Sequence, residues 1–487
     1  MFKHYLIYLA GIILVNGTGF LLIPVYATHF VPSEYGVLEI IYNCIDVFNI
    51  IFSAGLGIAS LSIYSKETDE AKKRNAISTA LVTSLCIASV GSVVFLFLSE
   101  VLNDYFFGSK DNLILFRIAG FLMLTQILCA VPMAFLQARM ASKAFITVSS
   151  IQSLAIISMN ITVVVFLGWR IQGVLVATLA GNAVFALVLN AWTIRTVGWT
   201  FDRFFFKRLF RFGLPFIPGG LCLFALNSAD RLFLQKYVDS SAVGIYLLGY
   251  KLGTVAGIFV LGPFLRVWGP FMFEVDRRPD GRKAIGKYFV YLLSAYCTVA
   301  LGISFYSAEI IRLISAPGYW EARHIVPYVL FAYLCWSAAA FFDSGFYITE
   351  KTYFKPIIMG SAAVVICALY WYLIPAYGFM GAAYSAAAGF LVFSILTYVV
   401  SQREYPVTYP YGKAVFTIGS AVMLYFLVDT FLQKTSWLTF SMKAVMLATY
   451  PAALVAFGVI DREDVAVIVN RAYSMLRQAK RILENAA

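Results

Sequence analysis

Residues 76–99 read AISTALVTSLCIASVGSVVFLFLS, without one Asp, Glu, Lys or Arg, and follow the basic group Lys72, Lys73 and Arg74. An uncharged run of this length matches a hydrocarbon layer of about 30 Å at 1.5 Å per residue, whereas a soluble core helix keeps a polar face. Working outward, similar apolar stretches cover 5–28, 36–60, 113–136, 145–167, 171–197, 213–235, 243–271, 284–305, 326–348, 356–374, 378–400, 414–431 and 437–460. Nothing between them is long enough for a soluble domain, and 61% of the 487 residues are hydrophobic. The sequence therefore predicts an all-α polytopic membrane protein with about 14 transmembrane helices. The run at 5–28 is too long for a signal-peptide core and is expected to remain as a helix.

The net charge of +12 is dispersed through the connections rather than gathered on one face, which excludes a nucleic-acid surface. With the N-terminus inside, about 26 of the 37 Lys and Arg fall on the cytoplasmic side, as the positive-inside rule requires. A multi-pass protein of the cytoplasmic (inner) membrane with both termini cytoplasmic is expected. Trp169, Trp199, Trp268, Trp320 and Trp437 lie near expected span ends, where an interfacial aromatic belt forms. All seven cysteines fall inside spans as small hydrophobes, and three histidines are too few for a zinc or haem set. Neither metal nor cofactor is expected.

A shift of 208 residues lays Gly36 on Gly244, Tyr42 on Tyr250, Lys143 on Lys351, Gly173 on Gly381 and Gly181 on Gly389. Six spans per unit is even, so the repeat is parallel, about an axis along the membrane normal. The expected organisation is an N-terminal six-helix lobe over 1–200, a C-terminal six-helix lobe over 201–408, two additional helices over 409–460 and an amphipathic cytoplasmic tail over 461–487. Rocking two such lobes would give alternating access to a cavity between them.

Phe30-Val31-Pro32-Ser33-Glu34-Tyr35-Gly36 after the first span, Phe212-Gly213-Leu214-Pro215 opening the seventh, Ala229-Asp230-Arg231 near its end and Val243-Gly244-Ile245-Tyr246 opening the eighth form an ordered set. In order and spacing the set resembles the polysaccharide transporter or oligosaccharide flippase family. That family serves lipopolysaccharide and exopolysaccharide biosynthesis within the multidrug/oligosaccharidyl-lipid/polysaccharide exporter superfamily. The resemblance implies a flippase carrying a polyprenyl-diphosphate-linked oligosaccharide repeat unit from the cytoplasmic to the outer leaflet, for O-antigen, capsule or exopolysaccharide assembly. Its implied partners are that lipid-linked oligosaccharide, membrane lipids, and a polysaccharide polymerase, glycosyltransferases or a chain-length regulator. Some relatives carry a cation in the first span, where this chain has Asn16.

A charge at bilayer depth costs at least about 2.5–3.5 kcal/mol, so it normally faces a cavity, a partner or the interface. In the second span Glu39, Asn43, Asp46, Ser53, Gly57 and Ser60 follow helical spacings, one polar stripe for cavity lining or coupling. In the eighth span Lys251 takes the position matching Asn43, with Thr254 on its face and Arg266 further along. Lys251 and Arg266 lead, and Arg231 and Arg117 follow, as cations for the diphosphate. Asp46 and Lys251, opposite charges at comparable depth, suggest an ion pair or proton coupling. Tyr42, Tyr246 and Tyr250 are candidates for stacking on sugar rings. The segment Gly281-Arg282-Lys283-Ala284-Ile285-Gly286-Lys287-Tyr288 has phosphate-loop spacing but puts Tyr288 where Ser or Thr must hold magnesium, and reads as a basic inner loop.

Two other functions compete. A drug or metabolite cation antiporter of the same superfamily is the nearer one. A membrane polysaccharide polymerase or glycosyltransferase needs a sizeable outer domain, and the longest outer segment, 306–325, is too short for one. A non-enzyme is expected.

Overall fold

The structure is a computed structural model describing residues 20–139, 142–432, 437–461 and 463. Helix α1 is Phe20–His29. Proline at its start and Glu34, whose carboxylate accepts from the Val31 amide at 3.2 Å, launch α2, Pro32–Ser53. Two left-handed residues, Ala54 and Gly55, separate it from α3, Leu56–Lys66. Asp69 caps α4, Glu70–Phe107, and left-handed Gly108 ends it. Then come α5, Leu113–Ala138, α6, Ser142–Ile161, and α7, Ile171–Val197. Asp202 caps α8, Arg203–Gly213, which leads through Pro215 to α9, Phe216–Asn227, and through Ser228 to α10, Ala229–Tyr237.

Helix α11, Ser240–Ala256, runs through a π turn, Gly257–Leu261, into α12, Gly262–Asp276. Pro263 has no amide to bond back to residue 259, and the wider turn absorbs that loss. The remaining helices are α13, Gly281–Ile314, α14, Val326–Phe342, α15, Ser344–Ile348, α16, Phe354–Glu404, α17, Tyr411–Phe431, and α18, Trp437–Ala456, with a 3₁₀ turn at Pro317–His324.

Twelve helices among the described residues are long and apolar enough to cross a membrane, and the chain is an all-α multi-pass membrane protein. The 51-residue α16 holds two expected spans, 356–374 and 378–400, on either side of Gly378 at φ 57°. Most of the first expected span, with Asn16, lies outside the described residues, as does nearly all of the tail.

The structure departs from expectation in two places. The polar stripe of the second span does not run through, because Ala54 (φ 46°) and Gly55 (φ 62°) break the helix and restart the register of Gly57 and Ser60. Trp268 is no interfacial anchor. It is 3% exposed, stacks on Phe341 at 4.7 Å and donates its indole N–H to Ser344 Oγ at 2.7 Å.

The described chain divides into two compact units. One takes the described residues of Met1–Lys251, Ile311–Ile325 and Pro356–Phe390; the other takes those of Leu252–Ile310, Val326–Lys355 and Leu391–Ala487. The first has an apolar core where α3, α4, α5 and α8 meet, with Leu56, Ile77, Leu81, Phe135 and Leu209 buried. In the second, Phe289 of α13 packs on Phe341 and Phe342 of α14 and on Tyr409. Tyr405, in the connection to α17, reaches the Asp276 carboxylate, and burial together with that carboxylate pushes its phenol up to about 12.

In the first unit α2 and α11 cross at glycines. A Cβ on Gly36 would stand 1.8 Å from the Ser240 carbonyl oxygen, and one on Gly244 would stand 2.0 Å from that of Pro32. The two positions are the pair matched by the 208-residue shift. Within lipid, helices associate through close packing rather than through a hydrophobic drive, so small residues mark the tightest crossings. Gly36→Ala is expected to lower unfolding stability in micelles by about 2–3 kcal/mol, because the backbones must part. Gly219→Ala, in α9 with open space around it, is expected to leave stability unchanged or slightly raised.

Candidate functional site

Next to that crossing the first unit gathers acidic, basic and phenolic side chains from three helices. Tyr35 and Glu39, four residues apart, share one face of α2, and Tyr246 and Tyr250 do the same on α11. The break at Ser228 starts α10 so that Asp230 and Arg231 enter in its first turn, where a carboxylate also meets the helix dipole. Asp230 is 0% exposed and Arg231 4%.

Arg231 Nη1 donates to Asp230 Oδ1 at 3.0 Å, and the other Asp230 oxygen accepts from the Tyr246 hydroxyl at 2.6 Å. The guanidinium lies over the Tyr250 ring at 4.2 Å, and its Nε faces Glu39 Oε1 at 3.4 Å. That Nε is buried without a hydrogen bond, a slack point in an otherwise satisfied cluster. Lys251 Nζ donates to the Tyr35 hydroxyl at 3.0 Å and stands 5.3 Å from the centre of the Tyr35 ring. Asn43 is tied to the Glu39 carbonyl at 3.0 Å. Two carboxylates thus balance two cations, which makes charge tolerable at this depth.

Further hydrogen bonds tie the surrounding elements together. Gln235 donates to the Phe106 carbonyl at 2.9 Å, Lys236 to the Tyr105 hydroxyl at 2.5 Å and Tyr319 to the Phe30 carbonyl at 3.2 Å. Chemically, the cluster can exchange one anion for another at fixed cations. Among the described residues no group of three His, Cys, Asp or Glu could hold a metal ion.

The structure thus places Glu39, Asn43, Arg231, Lys251, Tyr246 and Tyr250 together. Tyr246 and Tyr250 are buried against the ion pairs, without a face open to a sugar ring. Asp46 is exposed two turns along α2 from Glu39, Tyr42 is partly buried on the same helix, and Arg117 is exposed on α5. Thr254 and Arg266 belong to the second unit, where Arg266 is exposed on α12.

Sequence reasoning passed over Tyr35 as a partner of Lys251, although it stands inside the quoted Phe30–Gly36 stretch. It also passed over a nearly buried pair in the second unit, Lys443 of α18 with Glu309 of α13 at 2.6 Å. A lysine in an expected span was the available signal.

Fold and site together define an all-α polytopic membrane protein with a charged cluster buried among its helices. Residues 29–323 match the family described as polysaccharide biosynthesis protein, and the chain belongs to that family. Among solved structures it is similar to "Lipid II flippase MurJ, inward closed conformation", with a TM-score of 0.72 at 14% identity, covering 93% of this chain and 98% of that one. It is also similar to an inward-facing multidrug resistance MATE family transporter of the MOP superfamily, with a TM-score of 0.62 at 14% identity, covering 80% and 94%. A MATE structure in complex with MaD3S matches at a TM-score of 0.53 and 15% identity, covering 81% and 92%. No curated protein is matched by sequence.

Removing one member of a buried ion pair strands the other. Arg231→Met is expected to cost about 3–5 kcal/mol of unfolding stability in micelles. The double variant Asp230→Asn with Arg231→Met is expected to recover part of that loss, a coupling that a double-mutant cycle measures directly.

Proposed function

We propose that this chain is a flippase that translocates a polyprenyl-diphosphate-linked oligosaccharide from the cytoplasmic to the outer leaflet by alternating access, without covalent chemistry. The observation that carries the proposal is coverage. The likeness to the lipid II flippase extends over 93% of this chain, whereas the multidrug transporters cover 80% and 81%. Membership of the polysaccharide biosynthesis family supports a glycan-bearing cargo. Between α13, α14 and α17 of the second unit, a small apolar groove of about 100 Å³, lined by Leu330, Leu334, Ile418 and Val422, offers a surface suited to part of a lipid tail.

Arg231 and Lys251 are the proposed seat of the diphosphate. In this structure Asp230, Glu39 and Tyr35 hold them, so the cargo enters by exchange: its phosphate oxygens replace carboxylate and phenol as the cations' partners. Arg231 Nε, which faces Glu39 at 3.4 Å without a hydrogen bond, is the donor whose exchange loses least. The reciprocal crossing of Gly36 and Gly244 supports two parallel six-span repeats and, in this proposal, parts to release the cargo outward. Inner-membrane placement with both termini cytoplasmic fits the charge distribution. Outward movement of each negative charge is favoured by about 2.3 kcal/mol per 100 mV, so no nucleotide is needed. Asp46 is the proposed proton carrier that resets the cycle.

The test is leaflet-resolved accessibility of a labelled lipid-linked repeat unit in vesicles. Wild type is expected to move it, Lys251→Ala to slow the movement at least about tenfold, and Lys251→Arg to retain most of it. If wild type moves no lipid-linked sugar under an imposed potential and proton gradient, but exchanges a cationic dye for protons, the antiporter takes its place. Sugar transfer by the purified protein would instead make it an enzyme. Asp46→Asn is expected to flip without acceleration by a proton gradient; acceleration equal to wild type would remove Asp46 from coupling.

A further inference from the structure

The segment with phosphate-loop spacing is helical from Gly281 onward, and the amides of Gly281, Lys283 and Ala284 are taken up by the carbonyls of Arg278 and Asp280, so it forms no phosphate cradle. Its side chains nevertheless line a cleft of about 610 Å³ in the second unit, where α13 and α17 begin and the chain leaves α18. Four cations, Arg278, Lys283, Lys287 and Lys413, face two carboxylates, Asp280 and Asp461, leaving a surplus of positive charge.

The pairing inside the cleft is weak where it matters. Lys287 Nζ approaches one oxygen of Asp461 at 2.7 Å and Lys413 Nζ approaches the other at 3.9 Å, with all three side chains nearly half exposed. Ion pairs of that exposure contribute little, so a better anion displaces the carboxylate readily. Arg278 reaches out of the segment to Glu274 at 3.2 Å. Two lysines converging on one carboxylate is the arrangement that a phosphate with several charged oxygens also satisfies.

The other wall is apolar. Tyr288, Val290, Pro410 and Val459 line it. Gly286 keeps the wall closed, since its Cβ would stand 2.2 Å from the Thr408 carbonyl oxygen. A free phosphate gains nothing from such a wall, whereas the glycerol and first methylenes of a lipid do.

We propose that this cleft binds the headgroup of an anionic phospholipid, with Lys287 and Lys413 on the phosphate and Asp461 as the internal anion that the headgroup displaces. The site is separate from the α2, α10 and α11 cluster and does not rest on the flippase proposal.

The experiment is lipid binding to the full-length protein in detergent, followed by native mass spectrometry, with phosphatidylglycerol, phosphatidylcholine, inorganic phosphate and a polyprenyl diphosphate as probes. Phosphatidylglycerol is expected to bind and phosphatidylcholine to bind far more weakly. Lys287→Gln with Lys413→Gln is expected to weaken phosphatidylglycerol about thirtyfold, from two lost charges near a lipid anion. Asp461→Asn is expected to strengthen it, an effect in the direction opposite to misfolding. Equal binding of phosphatidylcholine, or indifference to both variants, overturns the proposal. Displacement of the phospholipid by inorganic phosphate at equal concentration overturns the lipid assignment, and preferential binding of polyprenyl diphosphate reassigns the cleft to the transported lipid.

Discussion

The ionic cluster of Glu39, Asp230, Arg231 and Lys251 is the constraint on which the first unit depends. Arg231 is almost wholly buried, and a guanidinium in that position persists only with carboxylates in reach. Asp230 supplies one at 3.0 Å and Glu39 another at 3.4 Å, from residues far apart in the chain. The requirement fixes α10 against α2 and brings α11 with it, through Tyr246 on Asp230 and Tyr250 beneath the guanidinium. The glycine crossing beside the cluster follows from the same demand, because only bare backbones let α2 and α11 approach closely enough.

An arrangement of this kind adds little to stability by itself. A buried ion pair is often no more stabilising than a well-packed apolar replacement. What it supplies is a pair of fixed cations whose partners can be exchanged. The second unit pairs charge with one carboxylate and one phenol ring at a time: Lys443 with Glu309 at 2.6 Å beside Tyr306, and Lys355 with Asp343 at 2.8 Å and the Tyr347 hydroxyl at 2.9 Å. Two cations share one carboxylate at Asp461, and two carboxylates share one guanidinium at Arg231.

The spans were legible because hydrocarbon length leaves little freedom: an uncharged run such as 76–99 has one physical home. Gly36 and Gly244 were legible as a matched pair, and the structure adds that they touch. The break after Ser53 was hidden, since Ala54 carries no sign that it will adopt a left-handed φ, and the stripe inferred across it was therefore too long. Trp268 was misplaced because hydropathy locates a span end but not the serine and phenylalanines that meet an indole there. Within the site, periodicity assigned Glu39 and Lys251 to polar faces but could not choose their partners. Tyr35 escaped notice because a tyrosine that serves as an acceptor looks the same in sequence as one that packs.

If the cations Arg231 and Lys251 are the seat of the diphosphate, the neighbouring acids are its stand-ins. Thermal-shift titration with a polyprenyl diphosphate, on wild type and on the charge-neutral double variant Asp230→Asn with Arg231→Met, addresses it most directly. Saturable stabilisation of the wild type is expected, and the double variant is expected to lose it while remaining folded. Equal stabilisation of both proteins would contradict it.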